Sequence, residues 1–290
     1  MTEQEEHMKR EKKAKLSQYV QSLNNMRVLN YNVYNMGKME KLLYTLLAFA
    51  AGAAVGYLFY GGLGKDDYGN STQITYICNV VISCLVGFVA VRLFIPVRTR
   101  QLCVKRQKEL RNQFADMLEA LATSLSAGKN VNDSFQGIYG DMKIQYGKNA
   151  YIVYEIQVIL AGVNNNIPIE DLLMHFGRRS GVKDIENFAQ VFSTAFRKGG
   201  NLKDIIQNTH EIIHDKMSIE MDIESVVASN KMEQNIMIVL PILLVGFIKM
   251  TSPEFASNFA SGSGIIATTI AIGCFVAAYF IGQKILDIKF

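Results

Sequence analysis

The sequence predicts an all-α polytopic membrane protein, in which two hairpins of transmembrane helices flank a water-soluble bundle of six helices. Residues 98–234 show helical rather than strand-like periodicity and contain one proline, Pro168. Basic residues are frequent in the segments before the first apolar stretch and after the second, and they are rare in the two loops that join the paired stretches. The apolar stretches are paired near the two ends of the chain, at residues 42–62, 74–95, 235–250 and 265–283.

The length of each apolar stretch supports a membrane-spanning role. A hydrocarbon core about 30 Å thick takes about 20 helical residues. The first, second and fourth stretches reach this length, and the third reaches it if its helix starts in the polar residues before it. The predicted segments are an N-terminal segment at 1–41, a first hairpin at 42–95, the bundle at 96–234, a second hairpin at 235–283 and a tail at 284–290.

The distribution of charge predicts the orientation of the spans. Lysines and arginines are frequent at residues 9–41 and 92–111, whereas the first hairpin loop holds only Lys65 and residues 251–264 hold no basic residue. By the positive-inside rule, both termini and the bundle face the cytoplasm, and both hairpin loops face outward. The small net charge, +4, is concentrated beside the membrane, which favours contact with anionic lipid over nucleic acid.

The N-terminal segment is polar and basic but carries a periodic set of apolar residues. This spacing predicts an amphipathic helix over residues 3–26 that lies on the inner leaflet or against the bundle. A solvated charged tail is an equal alternative. The apolar residues of the set are Leu16, Tyr19, Val20, Leu23 and Met26.

The interiors of the spans hold small residues and no ionisable ones. Ionisable residues mark ion and substrate paths in membranes, so a proton-coupled transporter or an ion channel is disfavoured. Ala48, Gly52 and Gly56 recur every four residues in the first span. This spacing lets helices approach closely and indicates helix packing at Gly52 and Gly56.

Six helices are predicted in the bundle from their apolar stripes and their breakers. Each is bounded by a Gly, Pro or Asx residue at one end. The sixth meets no Gly or Pro before Pro241, so it is expected to run unbroken into the third span. The helices cover residues 110–125 (ended by Gly128), 135–146, 151–160 (ended by Gly162), a fourth from Pro168, a fifth capped by Asp184, and a sixth from about Leu202 after Gly199 and Gly200.

Three of these helices have an acidic residue in the first turn, three residues after an Asn or Pro. Asp133, Asp171 and Asp204 follow Asn130, Pro168 and Asn201, respectively. An acid in the first turn is favoured by the helix dipole, so well-started helices on a solvated surface explain the pattern fully. The recurrence of the pattern hints at a repeated helical hairpin. Candidate partner-interface residues are Asp133, Asp171, Asp204, Lys198 and Lys203.

Two short segments carry a resemblance to a known family. Residues 114–122 (FADMLEALA), followed by residues 126–131 (SAGKNV), resemble the opening of the type II secretion F-domain, and residues 196–202 (FRKGGNL) resemble its second glycine-containing turn. The order of two spans, one six-helix domain and two spans is similar to that of TadB-type Tad/Flp pilus assembly proteins. The resemblance covers roughly residues 98–283, and the N-terminal segment has no counterpart in the family.

The resemblance implies a non-enzymatic platform in the cytoplasmic membrane of a bacterium or archaeon, with no cofactor. In such systems the cytoplasmic domain contacts a hexameric secretion ATPase and couples its motion to the extraction of pilin from the bilayer. The implied partners are that ATPase, pilin subunits, a paralogous platform protein or further copies of the chain, and the lipid bilayer. A scaffold for another membrane complex remains a different possibility.

One motif favours an alternative function, a zinc-dependent membrane metalloprotease. His210 and His214 flank Glu211 in the HEIIH pattern of zinc proteases, in which the histidines bind the metal and the glutamate activates water. Glu233 is the candidate third ligand by sequence distance. A continuous helix would place it about 28 Å from His214 at 1.5 Å per residue, whereas zinc ligands lie about 2 Å from the metal. We therefore expect no metal site here.

Overall fold

The computed structural model describes residues 17–61, 73–252, 258 and 261–286. Its elements, in chain order, are β1 (Tyr19–Gln21), β2 (Arg27–Leu29), α1 (Lys38–Tyr60), α2 (Gln73–Ser126), α3 (Val131–Tyr146), α4 (Tyr151–Asn164), α5 (Ile169–Ser180), α6 (Lys183–Lys198), α7 (Leu202–Thr251) and α8 (Gly262–Leu286).

The structure confirms the all-α class and the four membrane-spanning helices. Among the described residues, the helices long and apolar enough to cross a bilayer are Lys38–Tyr60, Gln73–Ser126, Leu202–Lys249 and Ser263–Gly282. The second and third are far longer than the roughly 20 residues that a bilayer requires. Helices α2 and α7 therefore each contain a spanning part and a part that belongs to the water-soluble bundle.

The chain divides into two compact units. The first, the bundle unit, comprises the described residues up to Asn35 together with Thr99–Ile219. The second, the spanning unit, comprises Met36–Arg98 and the described residues from Glu220 onward.

Aromatic side chains form the centre of the bundle unit. The Phe114 ring lies 5.4 Å from that of Phe188 and 6.2 Å from that of Phe176, and Phe188 contacts Phe192 at 5.6 Å. All four side chains are essentially fully buried. Burial of such a side chain contributes about 1.5–3 kcal/mol, so this cluster is a major part of the core.

Helices α5 and α6 pack with their backbones in close approach. A Cβ atom on Gly177 would lie 3.0 Å from the Cα atom of Glu186, so only glycine fits this crossing without displacing α6. Gly162 likewise lies directly against the side chain of Leu172 and joins the end of α4 to the start of α5.

Consecutive helices of the bundle unit run in opposite directions. Tyr146 at the end of α3 donates a hydrogen bond to Asp116 in α2, and the Ile152 N–H at the start of α4 donates to Gln113 Oε1 over 3.0 Å. Consequently α3, α5 and α7 begin at the end of the unit where α2, α4 and α6 finish. We call this the distal end; its loops are residues 127–130, 165–168 and 199–201.

The prediction of an amphipathic helix near the N-terminus is wrong for the described residues. Strands β1 and β2 form an antiparallel hairpin in which Tyr19 pairs with Leu29, and Asn25 adopts a left-handed conformation in its turn (φ 58°). Few apolar residues in a short segment fit a helical and a strand period equally, and the Asn24–Asn25 pair favours a turn. Residues 3–16 lie outside the described part of the chain.

The hairpin and the residues after it pack on the bundle unit. Val28 and Tyr31 are fully buried, and the Tyr31 N–H donates to the carbonyl of Arg179 over 3.0 Å. On the other side of the hairpin, the Tyr154 hydroxyl donates to the carbonyl of Arg27 over 2.6 Å. Residues 17–35 are therefore part of the folded bundle unit.

The start of α6 and the end of α4 differ slightly from prediction. Val182 occupies the N-cap of α6, and Asp184, predicted as the cap, lies in the first turn. The Asp184 carboxylate instead accepts from Lys216 Nζ over 2.5 Å and lies 3.9 Å from the Arg111 guanidinium. Helix α4 continues past Gly162 to Asn164.

In the spanning unit, glycines bring α1 against the apolar part of α2. A Cβ atom on Gly52 would lie 2.6 Å from the Cβ of Ala90, and one on Gly56 would lie 3.1 Å from the Cβ of Val86. Near the end of α7, Lys249 donates to the carbonyl of Leu58 over 2.8 Å, which satisfies a free carbonyl in the last turn of α1.

An apolar cavity of about 580 Å³ lies between α1, α7 and α8. Its walls include Phe59, Pro241, Ile242, Ala271 and Phe275. Thr268, a polar residue of its wall on α8, donates its hydroxyl to the Gly264 carbonyl over 2.8 Å within the same helix. The wall therefore suits a hydrocarbon occupant.

Candidate partner-binding surface

The distal end of the bundle unit collects the helix starts that carry the predicted acidic residues. Asp133, Asp171 and Asp204 lie in the first turns of α3, α5 and α7. Because alternate helices of the bundle run in the same direction, all three turns lie at this one end. Sequence spacing alone did not establish this common location.

Asp133 and Asp204 have matching local surroundings. Asn130 accepts the Asp133 N–H at Oδ1 over 2.8 Å and donates from Nδ2 to the Asp133 carboxylate over 2.7 Å. Asn201 Nδ2 donates to the Asp204 carboxylate over 2.5 Å. Each asparagine thus orders the start of its helix, and each carboxylate remains exposed at the surface.

Asp171 takes part in an ion-pair cluster between α5 and α6. The Arg197 guanidinium in the last turn of α6 donates to Asp171 Oδ1 over 3.0 Å and to Glu170 Oε1 over 3.4 Å. The sequence analysis missed Arg197 and Glu170 as members of this surface. Their signal was present in the charge pattern, since acids begin α5 and bases end α6, but their proximity required the fold.

Two exposed lysines lie beside this cluster, on either side of the turn between α6 and α7. Lys198 ends α6, Gly199 adopts the left-handed conformation (φ 70°), and Lys203 lies in the first turn of α7. The short turn and the Arg197 contacts therefore bring Asp171, Lys198, Lys203 and Asp204 into one region of mixed charge. No contact among the described residues joins Asp133 directly to this region. Gly128 (φ 82°) forms the corresponding turn before α3.

The zinc-protease motif lies on α7, and its two histidines are one turn apart. His210 Nδ1 is 3.0 Å from the carbonyl oxygen of Ala115, and the rings of His210 and His214 are 6.1 Å apart. The carboxylate of Glu211 accepts a hydrogen bond from Gln207 over 3.3 Å. In the described part of the chain, no three His, Cys, Asp or Glu side chains come together as a metal site. Glu233 lies further along the same helix, so the metalloprotease alternative has no structural support.

A buried ion pair, which the sequence analysis did not identify, joins the N-terminal residues to α4 and α5. Arg179 donates to both carboxylate oxygens of Glu155, over 3.2 and 2.6 Å, and to the carbonyl of Leu29 over 2.7 Å. The Tyr31 hydroxyl donates to the same carboxylate over 3.0 Å. The Glu155 side chain is 0 % exposed and that of Arg179 is 7 % exposed. Each buried charge is therefore compensated by its partner, and the Glu155 carboxylate is also stabilised by the hydrogen bond from Tyr31.

The surroundings of this pair shift the titration of its neighbours. Burial, followed by the Glu155 carboxylate, raises the pKa of the Tyr31 hydroxyl well above its usual value, so Tyr31 stays a hydrogen-bond donor. Burial also lowers the pKa of His175 to about 4, and the charges of Arg179 and Arg178 act in the same direction. His175 is therefore neutral at pH 7 and accepts from Arg179 Nε over 3.1 Å.

Comparison with known proteins finds similarity to one family model in this part of the chain. Residues 117–249 match the family model described as type II secretion system (T2SS), protein F. The match begins inside α2, covers α3 to α6 and ends inside α7, so it includes the distal end and the third spanning helix. No curated protein and no solved structure matches the chain.

Proposed function

We propose that this chain, which carries a type II secretion F-domain within a multi-pass membrane protein, is the platform of a Tad/Flp-type pilus or a related secretion machine. The observation that carries the proposal is the position of the family match. The match covers most of the helical part of the bundle unit and continues along α7 to residue 249, within a helix of membrane-spanning length. In this role the protein acts by mechanical contact and needs no catalytic residues.

The distal end is the proposed contact for a hexameric secretion ATPase. The positive-inside pattern orients the bundle unit toward the cytoplasm, where such an ATPase works. The distal end offers exposed charges of both signs on a rigid frame, with Asp171 and Arg197 held by their ion pair. Complementary charges steer a partner and set its register, which suits a contact that must be made repeatedly.

The spanning unit is the proposed contact for pilin and for lipid. A pilin subunit waiting in the bilayer presents an apolar helix, and the cavity between α1, α7 and α8 offers an apolar surface of matching chemistry. A paralogous platform protein or further copies of the chain complete the proposed assembly.

Charge reversal at the two exposed lysines tests the ATPase contact. Lys198→Glu combined with Lys203→Glu reverses charge at the distal end without removing an ion pair that the structure shows. We expect the variant to insert into the membrane normally and to lose most capture of the cognate secretion ATPase from mild-detergent extracts. The measurement is the ratio of ATPase to platform protein in the affinity eluate.

A matched control is Lys148→Glu, which reverses an exposed charge in the loop between α3 and α4, at the opposite end of the bundle unit. This variant should capture the ATPase as the unmodified protein does. Equal capture by the double variant and the control would contradict a contact at the distal end. Failure of the unmodified protein to capture any secretion ATPase would contradict the proposed function itself.

A further inference from the structure

The apolar cavity of the spanning unit extends along helix α8 for several turns. The residues of α8 that line it begin at Ala267 and end at Tyr279. At 1.5 Å per residue these positions lie about 18 Å apart. The wall also includes residues of α7 between positions 238 and 245, and Val55 and Phe59 of α1. The cavity is therefore an elongated space among three spanning helices.

Small side chains on α8 leave this space open. Ala267 and Ala271 are one turn apart and present only methyl groups to the cavity. The wall residues of α7 are all apolar: Ile238, Pro241, Ile242 and Val245. Apolar cavities of proteins exclude water, and the atoms around a void lose dispersion contacts. A hydrocarbon occupant restores these contacts.

The size of the cavity distinguishes a single hydrocarbon chain from a helix. A helix about 10 Å across occupies roughly 1,400 Å³ over a length of about 18 Å. The cavity holds about 580 Å³, so a whole transmembrane helix does not fit inside it. A methylene takes about as much space as a water molecule, whose share of the liquid is about 30 Å³, so a chain of about 14–18 carbons fills most of the cavity.

A positive charge lies beside one end of the cavity. Lys249 follows the wall residue Val245 by one turn of α7, and its ammonium donates to the carbonyls of Leu58 and Phe59 over 2.8 and 3.2 Å. Phe59 is itself a wall residue, near the end of α1. The charge is thus held where α1 finishes. An ammonium at this point attracts a phosphate group.

We propose that the cavity binds a phospholipid, with one acyl chain inside it and the phosphate beside Lys249. The chain and the phosphate are joined in one molecule, as the cavity and the ammonium are adjacent in the protein. An anionic phospholipid suits the site best, because its headgroup brings no positive charge toward Lys249. The bound chain then contributes to the packing of α1 against α7 and α8.

Tryptophan fluorescence tests this site, because the chain contains no native tryptophan. Phe275→Trp places a single tryptophan in the cavity wall. Phosphatidylglycerol with brominated acyl chains is titrated into the delipidated full chain in an excess of mild detergent, and bromine quenches an indole that it contacts. Quenching should saturate at about one lipid per chain.

The matched control is Phe280→Trp, at a phenylalanine of α8 that is 58 % exposed and is not part of the cavity wall. At the same lipid concentration its quenching should be several-fold weaker. Equal quenching of the two tryptophans would show that the lipid only mixes into the micelle, and it would overturn the inference.

Filling the cavity should exclude the lipid. Ala271→Phe, added to Phe275→Trp, narrows the cavity and should remove most of the saturable quenching. Ala277→Phe, at an exposed alanine on another face of α8, is the control and should leave the quenching unchanged. Saturable quenching that persists with Ala271→Phe would place the lipid elsewhere and contradict the proposal.

The charge of the lipid tests the contact with Lys249. Brominated phosphatidylglycerol should quench Phe275→Trp at a several-fold lower concentration than brominated phosphatidylcholine, whose headgroup is neutral overall. Lys249→Gln should abolish this preference, and Lys249→Arg should retain it. An absent preference, or one that survives Lys249→Gln, would also overturn the inference.

Other occupants give different results. Quenching by a brominated apolar helical peptide and not by the phospholipid would assign the cavity to a protein helix. Quenching by a brominated single-chain detergent as strong as that by the phospholipid would show an unselective apolar space. Either result overturns the inference.

The inference rests on the proposed function only in that it specifies the lipid contact included there. The fluorescence is read without an ATPase, a pilin or a pilus assay. Failure of lipid binding therefore leaves the platform proposal in place, and failure of ATPase capture leaves the lipid site in place.

Discussion

At the scale of single residues, the buried Glu155–Arg179 pair is the feature with the largest consequence for stability. Two charges in the interior are tolerated because Arg179 bonds both carboxylate oxygens and the Leu29 carbonyl, while Tyr31 supplies a further donor to Glu155. A buried pair contributes little net stability compared with apolar residues, but removal of one member leaves a charge without compensation. The pair also holds the N-terminal residues on the bundle unit, since Arg179 donates to the Leu29 carbonyl and Glu155 accepts from Tyr31.

We predict that Arg179→Ala destabilises the protein by about 3–5 kcal/mol, because Glu155 is left charged and buried without its partner. The measurement is the thermal unfolding midpoint of the detergent-purified full chain, followed by the reactivity of Cys103, with the other three cysteines replaced by alanine. Cys103 is a suitable reporter because its thiol donates to the Tyr31 carbonyl over 3.3 Å.

Arg178→Ala removes the exposed arginine next to it on α5 and serves as the control. It should lower the midpoint only slightly. A midpoint for Arg179→Ala equal to that of the control would show that the buried pair does not have the stabilising role assigned to it.

At the scale of elements, α2 and α7 differ from the other helices of the bundle unit because each continues into a membrane-spanning part. Helix α7 extends from Leu202 to Thr251, and Pro241 lies within it. From Leu202 to Leu240 the helix contains no Gly or Pro and resists bending, so we propose that this part of α7 acts as a stiff lever that carries a push on the bundle toward the spans. The lever is a hypothesis that rests on the proposed function.

We predict that inserting Gly-Gly-Pro after Ser225 abolishes pilus assembly or secretion while the variant is still expressed and inserted. Each glycine costs about 1 kcal/mol and a proline about 3 kcal/mol in a helix interior, so the insertion breaks α7 between its two parts. The measurement compares surface pili or secreted substrate with the amount of variant in the membrane fraction.

The same insertion after Lys148, in the loop between α3 and α4, adds residues where the chain is already non-helical. This control should keep its activity. Normal pili from the Ser225 insertion would remove the lever hypothesis and leave the platform proposal in place.

At the scale of the whole molecule, the proposed function depends on the side of the membrane that the bundle unit faces. The spanning helices follow from length and composition, whereas the orientation rests on the charge pattern. If the bundle unit faced outward, a cytoplasmic ATPase could not reach the distal end.

We predict that a membrane-impermeant maleimide added to intact cells labels a cysteine at position 65 and does not label Asn149→Cys. Position 65 lies between the first two spans in sequence, and Asn149 is exposed in the loop between α3 and α4. Both variants are made without the native cysteines, and labelling is measured by a shift in gel mobility.

Permeabilised cells provide the control, since both positions should then react. Labelling of position 149 in intact cells would reverse the predicted orientation and with it the proposed ATPase contact.

Sequence patterns predicted the individual helices of the bundle unit well. Apolar stripes, glycines and the acids of the first turns predicted α3, α5 and α6 to within a few residues. These signals are local, because the spacing of apolar residues and the effect of a charge on a helix end involve residues that are close together in sequence. The N-terminal hairpin was missed because its few apolar residues fit both periods and its docking partners, Glu155 and Arg179, are far away in sequence.

The sequence by itself determined the all-α class, the spans and the helix starts, since membrane thickness, helical periodicity and capping act through residues close together along the chain. Only the tertiary structure decided which residues meet across long separations. Folding brought Arg197 to Asp171, enclosed Arg179 with Glu155 beneath Tyr31, and gathered three acidic turns at the distal end. Such contacts depend on the direction and packing of whole helices, which no local pattern encodes.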